Sequence, residues 1–276
     1  MMKKEPAYLR PKLIPLDPIH CNKVLPFPTL PPKNSSISLY VNHGNYYGYN
    51  TESIKDFGWG CAWRCIQMAL CHQLISAKSE QIMPTLEQMF LEFGQKDVLI
   101  TLYQALHQIA EVPSYLKDRN FAPHELDSGW AEPFIGQLVL FRYGFKHELI
   151  CVNGIPEDAY APAEAFQRVI SFPGLVSLLK LHFSTGTKMP VMMDDASYAY
   201  CVIGIGETEE FTFLWIADPH IGKSESNDVG IYWVGLDKEG GKVMSSVGPE
   251  QREKMYQHGC DGTIYFSENK KWMILI

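Results

Sequence analysis

Cys61 lies where an irregular segment becomes an amphipathic run, in the stretch GYNTESIKDFGWGCAWRCIQMAL. The pattern places it in the first turn of a predicted helix, where backbone N–H groups lack acceptors and the helix dipole favours negative charge. A thiol there gains thiolate character and can act as a nucleophile. Gly58 and Gly60 let the chain turn sharply and leave room for a substrate. Simple packing is the alternative, because free cysteine is among the most buried residue types.

Asp218 and His220 form a second candidate pair, separated by Pro219 at the end of the apolar segment FTFLWIADPH. Side chains at i and i+2 of an extended segment project to the same side, and a residue before proline favours the extended conformation. The tripeptide is therefore predicted to hold a general base beside the carboxylate that orients it. A surface turn, with Asp218 as a cap and His220 solvated, is the alternative.

Tyr49 is the third candidate, twelve residues before Cys61 in the aromatic run NYYGYN. A tyrosine hydroxyl can donate a hydrogen bond to a tetrahedral oxyanion, as can the backbone N–H of the nucleophile. The alternative is an aromatic cluster that packs under the domain, and it is the better interpretation for at least one of Tyr46 and Tyr47.

Metal binding is the other chemistry that these thiols could support. Cys61 and Cys65 lie one helical turn apart and Cys71-His72 follows, but no second ligand pair has the spacing of a zinc site. Cys65, Cys71 and Cys201 are therefore predicted to be core thiols. Neither a metal nor a cofactor is expected.

The composition of the 276-residue chain suits a large folded domain, since 46% of the residues are hydrophobic. A net charge of -7 without a basic block argues against a nucleic-acid partner. No apolar run approaches the roughly 20 residues of a membrane helix, so no direct membrane insertion is expected. The seven cysteines are an odd number without framework spacing, which indicates reduced thiols and a cytoplasmic location.

The elements that position these residues follow from hydrophobic periodicity. A proline-rich arm over residues 1–35 precedes a single domain over residues 36–276. Early runs have helical spacing, whereas the later runs are short, β-branched and aromatic, which predicts an α+β domain whose sheet is an antiparallel meander. The order of the polar segment 239–271 is not predicted. Helices are predicted within 62–77, 84–95, 101–112, 129–144 and 172–186, and strands within 36–41, 147–155 and 189–237.

Together, Tyr-Tyr-x-Tyr, Gly-Trp-Gly-Cys-x-x-Arg and a strand-terminal Asp-Pro-His resemble the ubiquitin-fold modifier (UFM)-specific cysteine proteases. The spacing from Tyr46 to Cys61 is similar to that of the family without a gap. The segments WAEPFIGQLVL, HFSTGTKMPVMMDDASYAYCVIGIG and YWVGL continue the resemblance, which covers roughly residues 36–275. In length the chain resembles the short members of the family.

The resemblance implies a papain-like α+β fold, with an N-terminal helical part that carries the nucleophile and a C-terminal antiparallel sheet. Cys61 would be the nucleophile, His220 the base, Asp218 its orienter and Tyr49 the oxyanion donor. The implied reaction is acyl transfer through a thioester at the C-terminal glycine of UFM, which would mature the precursor, release the modifier from lysines, or do both. Trp59 is hypothesised to line a narrow tunnel for glycine. UFM is the implied partner, and the sequence leaves open an adaptor at a membrane.

Two regions depart from the family pattern. Asp194–Ser197 replaces a glycine-rich loop, and Tyr200 stands where a histidine is common. Glu132 and Ile135 replace a glycine and a glutamate in the Trp-Ile-Gly-containing helix. These departures put the substrate-facing contacts, rather than the catalytic set, in question.

Three other interpretations remain open. The related protease of the autophagy ubiquitin-like modifier shares Gly-Trp-Gly-Cys and Asp-Pro-His, but Tyr-Tyr-x-Tyr and the short chain favour UFM. The ubiquitin-chain protease branch takes its histidine from the earlier strand, where this chain has Tyr200. A catalytically silent module that only binds a ubiquitin-like modifier belongs to another class, and retention of all four reactive residues argues against it.

Overall fold

The computed structural model describes residues 25–26, 37–41, 44–49, 51–118, 130–159, 161, 163–185, 189–221, 230–257 and 266–276. Almost all of the predicted arm over residues 1–35 lies outside this part, so its boundary stays a prediction. Within the described residues, no helix has the length and apolar character needed to cross a bilayer.

The helices are α1 (Cys61–Ser76), α2 (Leu86–Phe93), α3 (Lys96–His107), α4 (Ser114–Asp118), α5 (Pro133–Arg142), α6 (Phe172–Ser184) and α7 (Pro249–Gln257). The strands are β1 (Leu25–Pro26), β2 (Ile37–Tyr40), β3 (Asn45–Tyr46), β4 (Leu149–Val152), β5 (Arg168–Ile170), β6 (Val191–Asp194), β7 (Ala199–Glu207), β8 (Phe211–Ala217), β9 (Ile231–Asp237) and β10 (Trp272–Leu275).

One eight-stranded sheet forms the centre of the domain, in the order β5-β4-β10-β6-β7-β8-β9, with β2 paired to β7. The predicted meander is present as β6 to β9. The prediction of a wholly antiparallel sheet is wrong at one edge, where β4 and β5 pair in parallel. Parallel pairing requires a crossover connection, and the segment between these strands supplies it. The fold class is α+β, as predicted.

The last strand, β10, is buried along its whole length and lies between β4 and β6 in the middle of the sheet. Sequence reasoning assigned no element here and left the preceding segment, which contains α7, without a prediction. The reason is that a short apolar run such as WMIL has no diagnostic period, and its partners are distant in sequence.

Helix α1 carries the candidate nucleophile through the interior of the domain. Every residue from Cys61 to Leu74 is buried, as expected for a helix covered on all sides. It packs against β6, β7 and α5, and it also contacts β3 and the turn Pro219–Ile221. These last two contacts bring Tyr49 and His220 toward the N-terminal end of α1.

Candidate active site

Cys61 is the first residue of α1, which begins one residue before the predicted range 62–77, so it lies in the first turn as expected. The N-cap residue is Gly60, which offers no side chain to satisfy the first N–H groups of the helix. These donors and the positive end of the helix dipole therefore face the thiol. Cys61 is only 4% exposed, so little of this residue is open to solvent.

Asp218 and His220 meet through a turn rather than through strand alternation, so the predicted extended geometry is wrong. Asp218 follows β8 directly, and Pro219–Ile221 forms a 3-10 turn. Asp218 Oδ1 accepts the backbone N–H of His220 at 2.9 Å and the ring Nδ1–H of the same residue at 2.6 Å. The carboxylate therefore caps the turn and orients the imidazole at once, which unites the two alternatives raised by the sequence.

The imidazole of His220 links this turn to α1, because it also hydrogen-bonds the Cys61 side chain. Asp218 already occupies Nδ1, so Nε2 is the nitrogen that faces the sulfur. Burial alone would lower the pKa of His220, but the hydrogen bonds and charges of Asp218 and Cys61 outweigh it and raise the pKa to about 9. The imidazolium of His220 is thus favoured at neutral pH beside the Cys61 side chain.

Tyr49 also contacts Cys61. Its hydroxyl hydrogen-bonds the Cys61 side chain and accepts the backbone N–H of Gly58. Burial, followed by the Cys61 charge, raises the pKa of the phenol, so Tyr49 stays a proton donor. Its backbone N–H donates to the carbonyl of Pro219 at 2.9 Å, which ties the tyrosine segment to the Asp-Pro-His turn.

Three tyrosine rings surround the imidazole of His220. The ring centroids of Tyr49, Tyr198 and Tyr200 lie 5.3, 5.4 and 5.5 Å from that of His220. Such T-shaped and tilted contacts are favourable arrangements for ring pairs. The three rings therefore pack around the imidazole of His220.

Two further tyrosines support Asp218, and sequence reasoning gave neither a catalytic part. Tyr232 donates its hydroxyl to Asp218 Oδ2 at 2.9 Å, and Tyr46 donates to the Asp218 backbone carbonyl at 2.8 Å. Tyr46 therefore belongs to the support of the site, whereas Tyr47 is a buried packing residue. The signal for Tyr232 was its place in a strand predicted beside the one that ends at Asp218.

A buried arginine holds the loop in front of Cys61, a role that the sequence motif alone did not reveal. Arg64 is fully buried, and its Nε donates to Asp56 at 2.6 Å. Its remaining nitrogens donate to Glu52 at 3.0 Å, to Gln67 at 2.8 Å and to the Thr51 carbonyl at 2.7 Å. This network fixes the path of the chain through Gly58 and Gly60 to the nucleophile.

Trp59, the proposed tunnel residue, is 4% exposed. Its indole N–H donates to the Lys55 carbonyl at 3.3 Å, and its ring centroid lies 6.0 Å from that of Phe90. These contacts anchor the loop before Cys61, and a part in substrate binding stays a prediction. The exposed aromatic side chain of this loop is instead Phe57, which sequence reasoning overlooked.

The departure at Asp194–Ser197 keeps a glycine-like backbone. Ala196 adopts φ 68°, in the left-handed region that favours glycine. Asp194 Oδ1 accepts the Ala196 N–H at 2.6 Å, and Asp195 Oδ1 accepts the N–H groups of Ser197 and Tyr198 at 3.0 and 2.7 Å. The two carboxylates therefore close the turn that leads to the tyrosines around His220.

The other departures lie inside the domain. Ile135 is fully buried in α5, and Glu132 is buried at the N-cap of that helix, where it accepts the Ala161 N–H at 3.1 Å. Burial and the nearby Glu132 charge raise the pKa of Asp194 well above its usual range. These residues therefore shape the interior behind the turn, not an exposed substrate surface.

The other thiols of α1 are packed. Cys65 and Cys201 are fully buried side-chain neighbours, and burial followed by the Cys201 contact raises the pKa of Cys65 well above its usual value. Cys71 is also buried, and burial raises its pKa. In the part of the chain that the structure describes, no three His, Cys, Asp or Glu side chains are grouped to hold a metal ion.

The arrangement brings a thiol, an imidazole, a carboxylate and a phenol together. Cys61 hydrogen-bonds both His220 and Tyr49, whose rings contact each other, and Asp218 bonds the far nitrogen of His220. Such a set can perform nucleophilic acyl transfer. The four sequence-predicted residues are therefore brought together, and their roles stay predictions.

Comparison with known proteins gives relatives in sequence and in fold. No family model matches the chain. A "Probable Ufm1-specific protease" from Oryza sativa subsp. japonica is 27% identical over 192 residues, which covers 67% of this chain and 24% of that protein. The crystal structure of UfSP from C. elegans has a TM-score of 0.50 at 16% identity, and the match covers 88% of this chain and 34% of that one.

The chain therefore spans about a quarter of the length of the curated relative and about a third of the solved chain. The fold neighbour confirms the papain-like α+β class. The sequence relative confirms the resemblance to the UFM-specific protease family that the motifs indicated.

Proposed function

We propose that this chain is a thiol-dependent protease that cleaves after the C-terminal glycine of UFM. The observation that carries the proposal is the double contact of Cys61, which hydrogen-bonds both His220 and Tyr49 at the start of α1. The similarity to a protein named as a Ufm1-specific protease supplies the substrate class.

The first half of the reaction is acylation of the sulfur. The Cys61 thiolate attacks the carbonyl carbon of the glycine, and a carbon–sulfur bond forms. The His220 imidazolium then gives its proton to the leaving amine as the carbon–nitrogen bond breaks. Asp218 keeps the imidazole in the orientation that points Nε2 at the reacting atoms.

The second half returns the enzyme to its starting state. Neutral His220 takes a proton from water, and the hydroxide attacks the thioester carbonyl. The carbon–sulfur bond breaks, the modifier leaves as a carboxylic acid that releases its proton to solvent, and Cys61 regains its thiolate beside the imidazolium. In both halves the tetrahedral oxyanion accepts hydrogen bonds from the Tyr49 hydroxyl and the Cys61 backbone N–H.

The test is covalent capture by modifiers that carry a C-terminal electrophile. The purified chain is incubated with three such probes, built on UFM, on the autophagy ubiquitin-like modifier and on ubiquitin. We expect an adduct with the UFM probe alone, attached to Cys61 and absent from the Cys61→Ala variant. Cys65→Ala is the matched control, because Cys65 lies one turn further along the same helix and should not affect labelling.

An adduct with a different probe only would keep the thiol mechanism and replace the substrate. A folded chain that forms no adduct with any probe would refute the protease and leave a binding module. A precursor substrate and an isopeptide-linked conjugate, compared under the same conditions, then distinguish maturation from removal of the modifier.

A further inference from the structure

Phe57 is an exposed aromatic side chain beside the candidate active site. At 77% exposure it is the most exposed large hydrophobic residue in the described part of the chain. Its ring centroid lies 5.3 Å from that of Tyr49, whose hydroxyl reaches Cys61. The rings of Tyr49 and Phe57 therefore form a continuous aromatic surface from the site to the exterior of the protein. None of the roles considered for the other site residues requires the Phe57 side chain to be exposed.

The turn that presents Phe57 is anchored on both sides. Asp56 before it is fully buried and bonded to Arg64, and Trp59 after it is buried against Phe90. The backbone N–H of Gly60 donates to the Asp56 carbonyl at 2.8 Å, and Gly58 adopts φ 88°, which favours glycine. The phenyl ring is therefore held outward by a fixed turn, so little further ordering is needed when a ligand covers it.

We propose that Phe57 is a specificity-determining residue, whose ring packs against the side chain of the substrate residue that precedes the terminal glycine and selects an apolar residue there. The inference rests on the proposed function, because it requires a substrate tail to reach Cys61. The glycine carbonyl must lie between Cys61 and Tyr49, and the next residue outward is about 3.3–3.6 Å further along an extended chain. We place the side chain of that residue against the Phe57 ring, whose centroid lies 5.3 Å from that of Tyr49.

The exposed ring of Phe57 favours an apolar side chain at this position of the substrate. The ring offers an uncharged surface that stays wet until a substrate covers it, so a branched aliphatic side chain gains from contact with it. A carboxylate at the same position would lose water without gaining a partner. The discrimination therefore acts between substrates and leaves the chemistry at Cys61 unchanged.

The test uses short electrophiles that do not depend on the identity of the modifier. N-acetylated Leu-Gly, Ala-Gly and Asp-Gly chloromethyl ketones are reacted with the whole chain, and labelling of Cys61 is followed by mass spectrometry. We expect Leu-Gly to label about tenfold faster than Asp-Gly, with Ala-Gly between them. In Phe57→Ala the three rates should converge to within about twofold, whereas Phe57→Tyr should keep the preference.

Two controls separate this role from damage to the site. Iodoacetamide measures the reactivity of Cys61 without a substrate tail, and its rate should be the same in Phe57→Ala as in the wild type. Leu181→Ala, which removes another exposed apolar side chain on α6, should leave all rates unchanged. Equal rates for the three ketones in the wild type, an unchanged preference in Phe57→Ala, or no labelling by any ketone would each overturn the role of Phe57.

The outcome is also independent of the proposed modifier. If the UFM probe fails while the ketones show the Phe57-dependent preference, the modifier is wrong and the specificity residue stands. If the UFM probe labels Cys61 while the ketones show no preference, the proposed function stands and the role of Phe57 falls.

Discussion

Tyr232 donates a hydrogen bond of 2.9 Å to Asp218 Oδ2, on the oxygen opposite the one that holds His220. The two residues meet because Tyr232 on β9 pairs with Ile216 on β8, two residues before Asp218. Strand pairing thereby fixes a carboxylate that lies outside the strands. With both oxygens engaged, Asp218 cannot rotate away from the imidazole.

Tyr232→Phe should lower kcat/KM for a UFM substrate by about tenfold. The change removes one hydrogen bond to a charged group, which contributes about 1.5–3 kcal/mol, and part of that loss appears in the positioning of His220. The measurement is steady-state cleavage, with Tyr256→Phe on α7 as the control because this tyrosine is exposed. An unchanged kcat/KM in Tyr232→Phe would show that Asp218 needs no second partner.

Asp218→Asn should shift the titration of His220 to lower pH. Burial lowers the pKa of the wild-type imidazole, and the Asp218 and Cys61 interactions raise it to about 9, so the variant loses one of the raising contributions. The imidazolium that protonates the leaving amine then disappears at lower pH, and the alkaline limb of kcat/KM moves with it. NMR titration of the His220 ring measures this directly, and Asp97→Asn on the exposed face of α3 is the control.

The same shift predicts a sign for stability. A group whose folded pKa is raised stabilises the fold fully below its unfolded value of about 6.5, and this stabilisation is lost as pH rises through about 9. The excess unfolding free energy of the wild type over Asp218→Asn that comes from His220 should therefore be largest just below about pH 6.5 and should shrink as the pH rises through about 9. A difference that grows as the solution becomes alkaline would contradict the assignment.

The sequence predicted which candidate residues come together, and the elements that carry them, better than it predicted their support. Helical spacing located α1 and Cys61, and the tripeptide located Asp218 and His220. The long-range arrangement was not accessible, because the central place of β10 and the partner of Tyr232 depend on strand register. A single chain carries no direct record of register between strands far apart in sequence.

The sequence also did not predict which side chains of the loop before Cys61 are buried and which are exposed. Two aromatic residues two positions apart, Phe57 and Trp59, have similar hydrophobicity, and the tryptophan was assigned to the substrate. The structure exposes the phenylalanine and buries the tryptophan. The cause is the ion pair between Asp56 and Arg64, which sets which side of the turn faces inward.

Tyr49→Phe should reduce kcat by about 10²–10³-fold, the usual cost of losing one oxyanion donor. The ring stays, so its contacts with Phe57 and His220 at 5.3 Å are retained. Alkylation of Cys61 by iodoacetamide forms no tetrahedral oxyanion and should change much less. Loss of alkylation and cleavage in equal measure would instead assign Tyr49 to the positioning or ionisation of the thiol.

Arg64→Met should destabilise the domain by about 3–5 kcal/mol, because Asp56 and Glu52 would lose their buried counter-charge. Arg168→Met is the matched control. It breaks a 3.1 Å pair with Glu148 whose side chains are 47% and 55% exposed, and its expected cost is about 0–1 kcal/mol. Urea unfolding of both variants gives the two free energies, and similar values would refute a structural role for the buried network.

Gly60→Ala should impair the domain through a single added methyl group. A Cβ at Gly60 would lie 2.6 Å from both Cβ and Oδ2 of Asp56, closer than atoms can pack, although the backbone φ of -86° suits alanine. Asp56 cannot yield without losing its 2.6 Å bond to Arg64, so the loop that presents Cys61 must shift.

We expect this variant to lose about 1–3 kcal/mol of unfolding free energy, the usual cost of overpacking, together with most of the cleavage activity. Gly248→Ala is the control, because a Cβ there meets nothing within 4 Å and should cost less than about 1 kcal/mol. Urea unfolding and cleavage are measured on both variants. Wild-type activity and stability in Gly60→Ala would show that the Asp56–Arg64 pair tolerates movement, and that the position of Cys61 does not depend on it.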